Sequence, residues 1–360
     1  MACKSPTSND NIVILDHKSI VDIIYSSKFF DPGIEKALMK TDLFCIDVPY
    51  DRKERNSDET TGEPKSKKRK KTDQFNETTL KVQRNYTEFY QLEKRRKPDT
   101  VLKNTKALEL VDSFTANDNY SSDTVFKGSN NSPFTVICEF FNESFIIPPK
   151  CRFFNSNVSD MCNLLNPDDE KFDFIVMDPP WWNKYIRRTK AANRKVGYQM
   201  MDNESIKSIP LEDYIHDDTI VVIWCTNSPT HETAIKETFL CKWKLKLLTT
   251  WFWVKVTNNG ETICEFKEST KKQPFEKILI ATSARNSRWN FSSEKFIYSV
   301  PCALHSNKPP LLDLFTDLLP KQPKCLELFA RNVYPNFTSI GIEVLKLQNA
   351  RLFEIIKVPR

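Results

Sequence analysis

From about Phe134 to the C-terminus, short apolar runs alternate with amphipathic stretches. Thr135–Cys138, Phe172–Met177, Thr219–Trp224, Leu245–Val256, Lys277–Ala281, Lys324–Phe329 and Ser339–Ile342 read as strands, because each is short, apolar and bounded by polar or turn-forming residues. Pro229–Phe239 and Pro310–Leu319 carry helical spacing between them. Strands separated by helices predict an α/β domain built on a mainly parallel sheet. Upstream the pattern is weaker. Ile12–Leu15 reads as a short strand, while Ile20–Phe30 and Ile34–Leu38 read as helical. A further helical stretch begins at Thr78, with Tyr86, Phe89, Tyr90 and Leu92 as its packed face.

Between these parts the apolar pattern disappears. Residues 51–77 form a basic linker, expected to be disordered, that contains Lys65-Ser66-Lys67-Lys68-Arg69-Lys70-Lys71. The division that follows is an N-terminal region over 1–50, this linker, a helical and polar extension over 78–133, and a large domain over 134–360. Charge sharpens the picture. The net +6 is concentrated between Arg52 and Lys106, so the rest of the chain is close to neutral and nucleic acid would be met by local patches.

Composition excludes several classes. No apolar run approaches the roughly 20 residues of a membrane-spanning helix, and Met1–Pro6 lacks the apolar stretch of a secretory signal. A soluble, intracellular protein without membrane contact is expected. The ten cysteines include no CxxC pair and the four histidines are far apart, so reduced thiols and no metal site are expected.

The stretch with the clearest chemistry is Phe172-Asp173-Phe174-Ile175-Val176-Met177-Asp178-Pro179-Pro180-Trp181-Trp182. A buried strand ends in an acid, two prolines and an aromatic, at the carboxyl end where open α/β sheets bind ligands. The prolines fix a rigid turn whose carbonyls are expected to point outward. An adenine amine is a weak nucleophile because its lone pair is delocalised into the ring. The Asp178 carboxylate and the Pro179 carbonyl offer two acceptors that would favour a tetrahedral nitrogen and stabilise its developing positive charge. Trp181 is expected to stack on an extruded base. By itself Asp-Pro-Pro is as readily a strand-ending turn; the strand before it and the tryptophan after it favour chemistry.

The chain from Phe134 onward resembles the MT-A70 family of adenine-N6 methyltransferases, and within it the methyltransferase-like protein 4 branch. The resemblance is carried by Asp178-Pro179-Pro180-Trp181, by His305-Ser306-Asn307-Lys308-Pro309 and by Leu326-Glu327-Leu328-Phe329-Ala330-Arg331-Asn332. It implies a Rossmann-like domain in permuted order, with the catalytic motif before the main cofactor-binding strand. It implies S-adenosyl-L-methionine as cofactor, with Lys308 at the methionine carboxylate and Glu327, Arg331 and Asn332 at the ribose. Glu327 reads equally as a buried acid with a structural partner, and Arg331 as a neutraliser of Glu343. Softer carry-overs place Gly341-Ile342-Glu343 at the closing segment, with Ile342 where the family has an amide, and Lys150-Cys151 at the cofactor's adenine.

Two basic, aromatic stretches are candidate substrate handles: Trp182, Lys184, Tyr185, Arg187 and Arg188 after the motif, and Lys271-Lys272 further on. A charge run is otherwise a solvated face. The implied substrate is nucleic acid, with RNA favoured over DNA. The branch points to 2′-O-methylated adenosine of small nuclear RNA; the sequence leaves open whether the chain acts as a monomer or with a protein partner. Two rivals are a catalytically silent RNA-presenting subunit, which the intact Asp178, Trp181 and Lys308 disfavour, and a methyltransferase for a protein or small molecule. The tract Lys65–Lys71 implies nuclear residence. Replacing it with Ser and Gly should move the protein to the cytoplasm and leave methyl transfer in vitro unchanged. Nuclear retention together with a large loss of RNA affinity would identify the tract as a nucleic-acid tether instead.

Overall fold

Fourteen strands, ten of them in one sheet, carry the architecture of the computed structural model, which describes residues 11–26, 28–50, 75–92, 104–116, 120, 124–182, 200–267, 272–289 and 293–358. In chain order they are β1 (Ile12–Ile14), β2 (Ile34–Met39), β3 (Phe126–Asn130), β4 (Val136–Phe140), β5 (Glu143–Ile147), β6 (Cys151–Asn155) and β7 (Phe172–Met177). Then follow β8 (Ile215–Cys225), β9 (Leu245–Lys255), β10 (Phe275–Ser283), β11 (Phe296–Ser299), β12 (Cys325–Leu328), β13 (Phe337–Ile340) and β14 (Phe353–Lys357). The main sheet has the order β1-β11-β9-β10-β8-β7-β12-β13-β6-β3. Six of its pairings are parallel; β10 runs antiparallel to both neighbours and β3 antiparallel to β6. The expected α/β class and mainly parallel sheet are what the chain forms.

The central strands are apolar on both faces because both faces are covered. Ile175, Met177, Val221, Ile223, Leu326 and Leu328 pack into one core with Trp181 and Trp243. Phe174, Ile220, Val222, Trp224, Trp251 and Trp253 pack into the other. From β7 the chain moves to β8 on one side, while from β12 it moves to β13 on the other. The boundary between β7 and β12 is therefore a switch point, which opens a crevice beyond the strand ends. Met177 pairs with Leu328, so Asp178 and Phe329 emerge there side by side.

Upstream elements are woven into this body. β1 extends the main sheet beside β11. Helix α1 (His17–Tyr25) is capped by Asp16, whose carboxylate accepts from the Ser19 N–H at 3.0 Å. It stops at Tyr25, short of the expected Phe30. Helices α2 (Glu77–Leu92) and α3 (Thr105–Ala116) follow; Phe89 of α2 stacks on Tyr298 of β11 at 3.8 Å.

Three expectations are corrected. Ile34–Leu38, read as helical, is strand β2, because it pairs antiparallel with β14 more than 300 residues later, a partner no local pattern reveals. Pro310–Leu319, read as a helix, contains only a 3-10 turn over Leu312–Phe315; Pro309 and Pro310 supply no N–H, and Leu311 and Phe315 are drawn into the core. Thr135–Cys138 contributes to the separate β4–β5 hairpin, not to the main sheet.

Gly341 illustrates how closely the strand ends approach. A Cβ at this position would lie 2.3 Å from the Ala330 carbonyl oxygen and 2.7 Å from its nitrogen, both backbone atoms. Gly341→Ala must push β13 away from the turn after β12. A loss of about 2–3 kcal/mol in urea unfolding is expected, with a matching fall in cofactor affinity because the same turn lines the crevice.

Candidate active site

Asp178 follows the last residue of β7 and faces the crevice. The turn after it is held by its own backbone. The Pro179 carbonyl accepts from the Trp181 N–H at 2.8 Å, and the Pro180 carbonyl from the Met201 N–H at 3.0 Å. The expected pair of outward carbonyls is thus corrected: Pro180 is engaged, and Pro179 has one lone pair left to offer. Trp181 is 6% exposed. Its indole N–H donates to the Trp224 carbonyl at 3.0 Å, and its ring lies 4.9 Å from His231 and parallel to Phe239 at 6.3 Å. No open face remains for the base stacking expected of it; Trp181 anchors the turn to the core. Trp182 next to it is 38% exposed.

His231 braces the far end of the turn, with one ring nitrogen 2.9 Å from Asn203 Oδ1 and the other 3.2 Å from the Trp182 carbonyl. Burial lowers its pKa, only partly opposed by that carbonyl.

Charge at the mouth is arranged by residues from three further elements. Lys308 Nζ lies 3.6 Å from Asp178 Oδ2 and forms a shorter ion pair with Glu276 of β10. Glu276 also pairs with Lys255 at the end of β9. Lys308 rests 5.2 Å from the Trp224 ring centroid, and Lys255 4.5 Å from that of Trp253. Burial alone would raise the Glu276 pKa, but Lys255 and then Lys308 pull it well below the usual carboxylate range. For Asp178 burial prevails and raises the pKa, opposed chiefly by Lys308. Sequence reading passed over Lys255 and Glu276. Their signal was a charged residue at the end of, or within, an otherwise apolar strand.

The crevice widens into a pocket of about 1050 Å³, counting its open mouth, lined by Asp178, Lys308, Glu327, Phe329, Arg331 and Asn332 among others. Phe329 and Ser306 hold left-handed backbone, φ 62° and 56°, which non-glycine residues adopt only when their surroundings fix them. Glu327 Oε2 is buried without a hydrogen-bond partner among the described residues. Burial first, and the neighbouring Asp178 second, push its pKa up to about 8. Arg331 donates to the His305 carbonyl at 2.8 Å and pairs with Glu343 at 2.6 Å; Glu343 also pairs with Lys346. Asn332 donates to the Tyr334 hydroxyl.

The other candidates lie elsewhere. Lys150, with φ 54°, donates to the Asn131 carbonyl at 2.6 Å, and its own carbonyl accepts from Asn336 at 2.8 Å. Cys151 is buried, its thiol 3.1 Å from the Pro148 carbonyl. Neither lines the pocket, nor do Ile342 and Glu343. Lys272 sits 5.8 Å from the Tyr50 ring centroid and does not line the pocket. Lys184, Tyr185, Arg187, Arg188 and Lys271, like the tract Lys65–Lys71, fall outside the described residues. The residues present suit S-adenosylmethionine: the buried Glu327 carboxyl can hydrogen-bond a ribose diol, and Lys308 is a pocket cation placed for a carboxylate.

A mostly parallel sheet with an acid-proline-proline turn at its switch point, beside a pocket lined by Asp178, Lys308 and Glu327, defines a Rossmann-like domain of the methyltransferase kind. Residues 172–343 match the MT-A70 family, and the chain carries an MT-A70 domain. It is 38% identical over 234 residues to the human N(6)-adenine-specific methyltransferase METTL4, covering 62% of this chain and 48% of that protein. It is 34% identical to the DNA N6-methyl methyltransferase of Caenorhabditis elegans over 58% of this chain and 55% of that one. It is also 34% identical to the N6-methyladenosine RNA methyltransferase MTA1 of Cryphonectria parasitica, over 57% and 61%. The chain thus spans about half to three-fifths of the length of these relatives.

Glu327 yields a pH test. Its folded carboxyl keeps the proton to about 8, whereas the unfolded one releases it near 4.5. Its contribution to stability is therefore whole below 4.5 and lost as pH rises through 8. Glu327→Gln removes this dependence. In thermal melts from pH 5 to 9 the variant should gain steadily on wild type; parallel curves would show that Glu327 is ionised throughout.

Proposed function

We propose that the protein methylates the N6 amine of adenosine in RNA, with S-adenosyl-L-methionine as donor. The favoured substrate is 2′-O-methyladenosine of small nuclear RNA, converted to N6,2′-O-dimethyladenosine. The observation that carries this reading is Asp178 at the switch point, with Lys308 at 3.6 Å and the unpaired Glu327 in the same pocket. The names of the relatives support N6 of adenine as the acceptor and divide between RNA and DNA. The nuclear location rests on the tract Lys65–Lys71.

The cofactor supplies an electrophilic methyl group on sulfur. The chain's residues do the rest. Asp178 and the free lone pair of the Pro179 carbonyl accept the two amine hydrogens and orient the nitrogen lone pair toward the donor. Lys308 steadies the Asp178 carboxylate, and Glu276 with Lys255 steadies Lys308. Trp181 and His231 fix the turn, so that these acceptors do not reorganise during transfer. Trp182, exposed beside the motif, offers an aromatic face to the nucleic acid.

Asp178→Asn keeps the shape of the side chain and removes its charge. It should lower methyl transfer about a hundred- to a thousandfold, the scale of losing one electrostatic contact to a developing charge, with an unchanged melting temperature. Transfer of labelled methyl to matched RNA oligonucleotides, with and without a 2′-O-methyl on the target adenosine, and to DNA measures both activity and preference. Near-normal turnover by Asp178→Asn would sink the mechanism; a faster DNA reaction would replace RNA as substrate.

A further inference from the structure

Helix α1 lies far upstream of the MT-A70 match at residues 172–343, yet it reaches the pocket. Its spacing puts Ile20 and Ile24 one turn apart on one face, and both line the pocket. Ile23, between them in sequence, points away and is 58% exposed. Lys308–Leu312 and the turn after β12 also line it. The pocket therefore has a charged end at Asp178, Lys308 and Glu327, and an apolar side closed by α1.

The helix is fixed from both directions. Its last residue, Tyr25, is 2% exposed. The hydroxyl lies 2.8 Å from the Val333 carbonyl and 2.7 Å from Gln348 Oε1. Val333 follows Arg331 and Asn332, which line the pocket, so Tyr25 ties the helix to that turn. Nearer its start, Asp22 accepts from the Met39 N–H at 2.9 Å and joins α1 to β2, which is itself sealed by the C-terminal strand β14.

We propose that α1 is the closing wall of the cofactor pocket, with Ile20 and Ile24 contacting the uncharged part of the cofactor and Tyr25 positioning the Arg331–Val333 turn. This rests on the reading of the pocket as an S-adenosylmethionine site. An apolar wall excludes water from a site whose polar groups act at the other end, which strengthens their contacts with a charged ligand. It also makes the N-terminal segment part of the binding machinery.

The test is calorimetric binding of S-adenosylmethionine and S-adenosylhomocysteine to the full chain, without any turnover. Ile24→Ser should weaken binding about tenfold, the scale of one lost apolar side-chain contact, whereas Ile24→Val should restore most of it. Ile23→Ser, on the same helix but facing solvent, should bind as wild type does. Tyr25→Phe removes only a hydroxyl and should weaken binding several-fold. Melting temperatures without ligand separate loss of the wall from loss of the fold. Folded Ile24→Ser and Tyr25→Phe variants with unchanged affinity would overturn the wall alone. Failure of the wild-type chain to bind either compound would overturn the cofactor reading, and this one with it.

Discussion

Two carboxylates ending adjacent strands of a buried sheet set the terms for the rest of the site. Asp178 follows β7 and Glu327 lies within β12, and Asp178 adds to burial in raising the proton affinity of Glu327. Such a pair is tolerated only if one partner is compensated. Asp178 has Lys308 beside it; Glu327 Oε2 has no hydrogen-bond partner among the described residues, and the carboxyl takes up a proton. The asymmetry assigns them different work. Lys308 opposes the effect of burial on Asp178, whereas Glu327 is a buried polar group with room for a hydroxyl partner.

Lys308 could not serve alone. Its ammonium lies over two indole faces and between Asp178 and Glu276. Glu276 anchors it, and Lys255 in turn keeps Glu276 ionised in a buried setting. The resulting alternation of charges runs along the ends of β9 and β10, the strands farthest from the motif that still reach the site. It is costly to bury such a chain of ions, and removing one member leaves the next uncompensated. That makes the cluster sensitive to any substitution within it.

The aromatic residues of the motif divide their roles by burial. Trp181 is locked to the Trp224 carbonyl and packed against His231 and Phe239, so it secures the turn from inside. Trp182 remains outside. With Phe329 and Ser306 fixed in left-handed backbone on the pocket's edges, the crevice is a rigid feature held open by its surroundings, at a cost met by the two cores that flank the sheet.

Local pattern sufficed for whatever depends on neighbours in sequence. The strand Phe172–Met177, the acid that ends it, the α/β class and the order of the three motifs could all be read directly, because strand periodicity and proline chemistry act over a few residues. Long-range pairing could not be. Ile34–Leu38 becomes a strand only because β14 lies beside it, and Pro310–Leu319 gives up helical geometry because its leucines are claimed by the core. The same limit applied within the site. Lys308 was legible from its motif, but Glu276, Lys255 and helix α1 join it only through the folded sheet. The reach of Ile20 to the pocket, across roughly 300 residues of chain, is decided by tertiary packing, since burial and electrostatic compensation depend on distance in space.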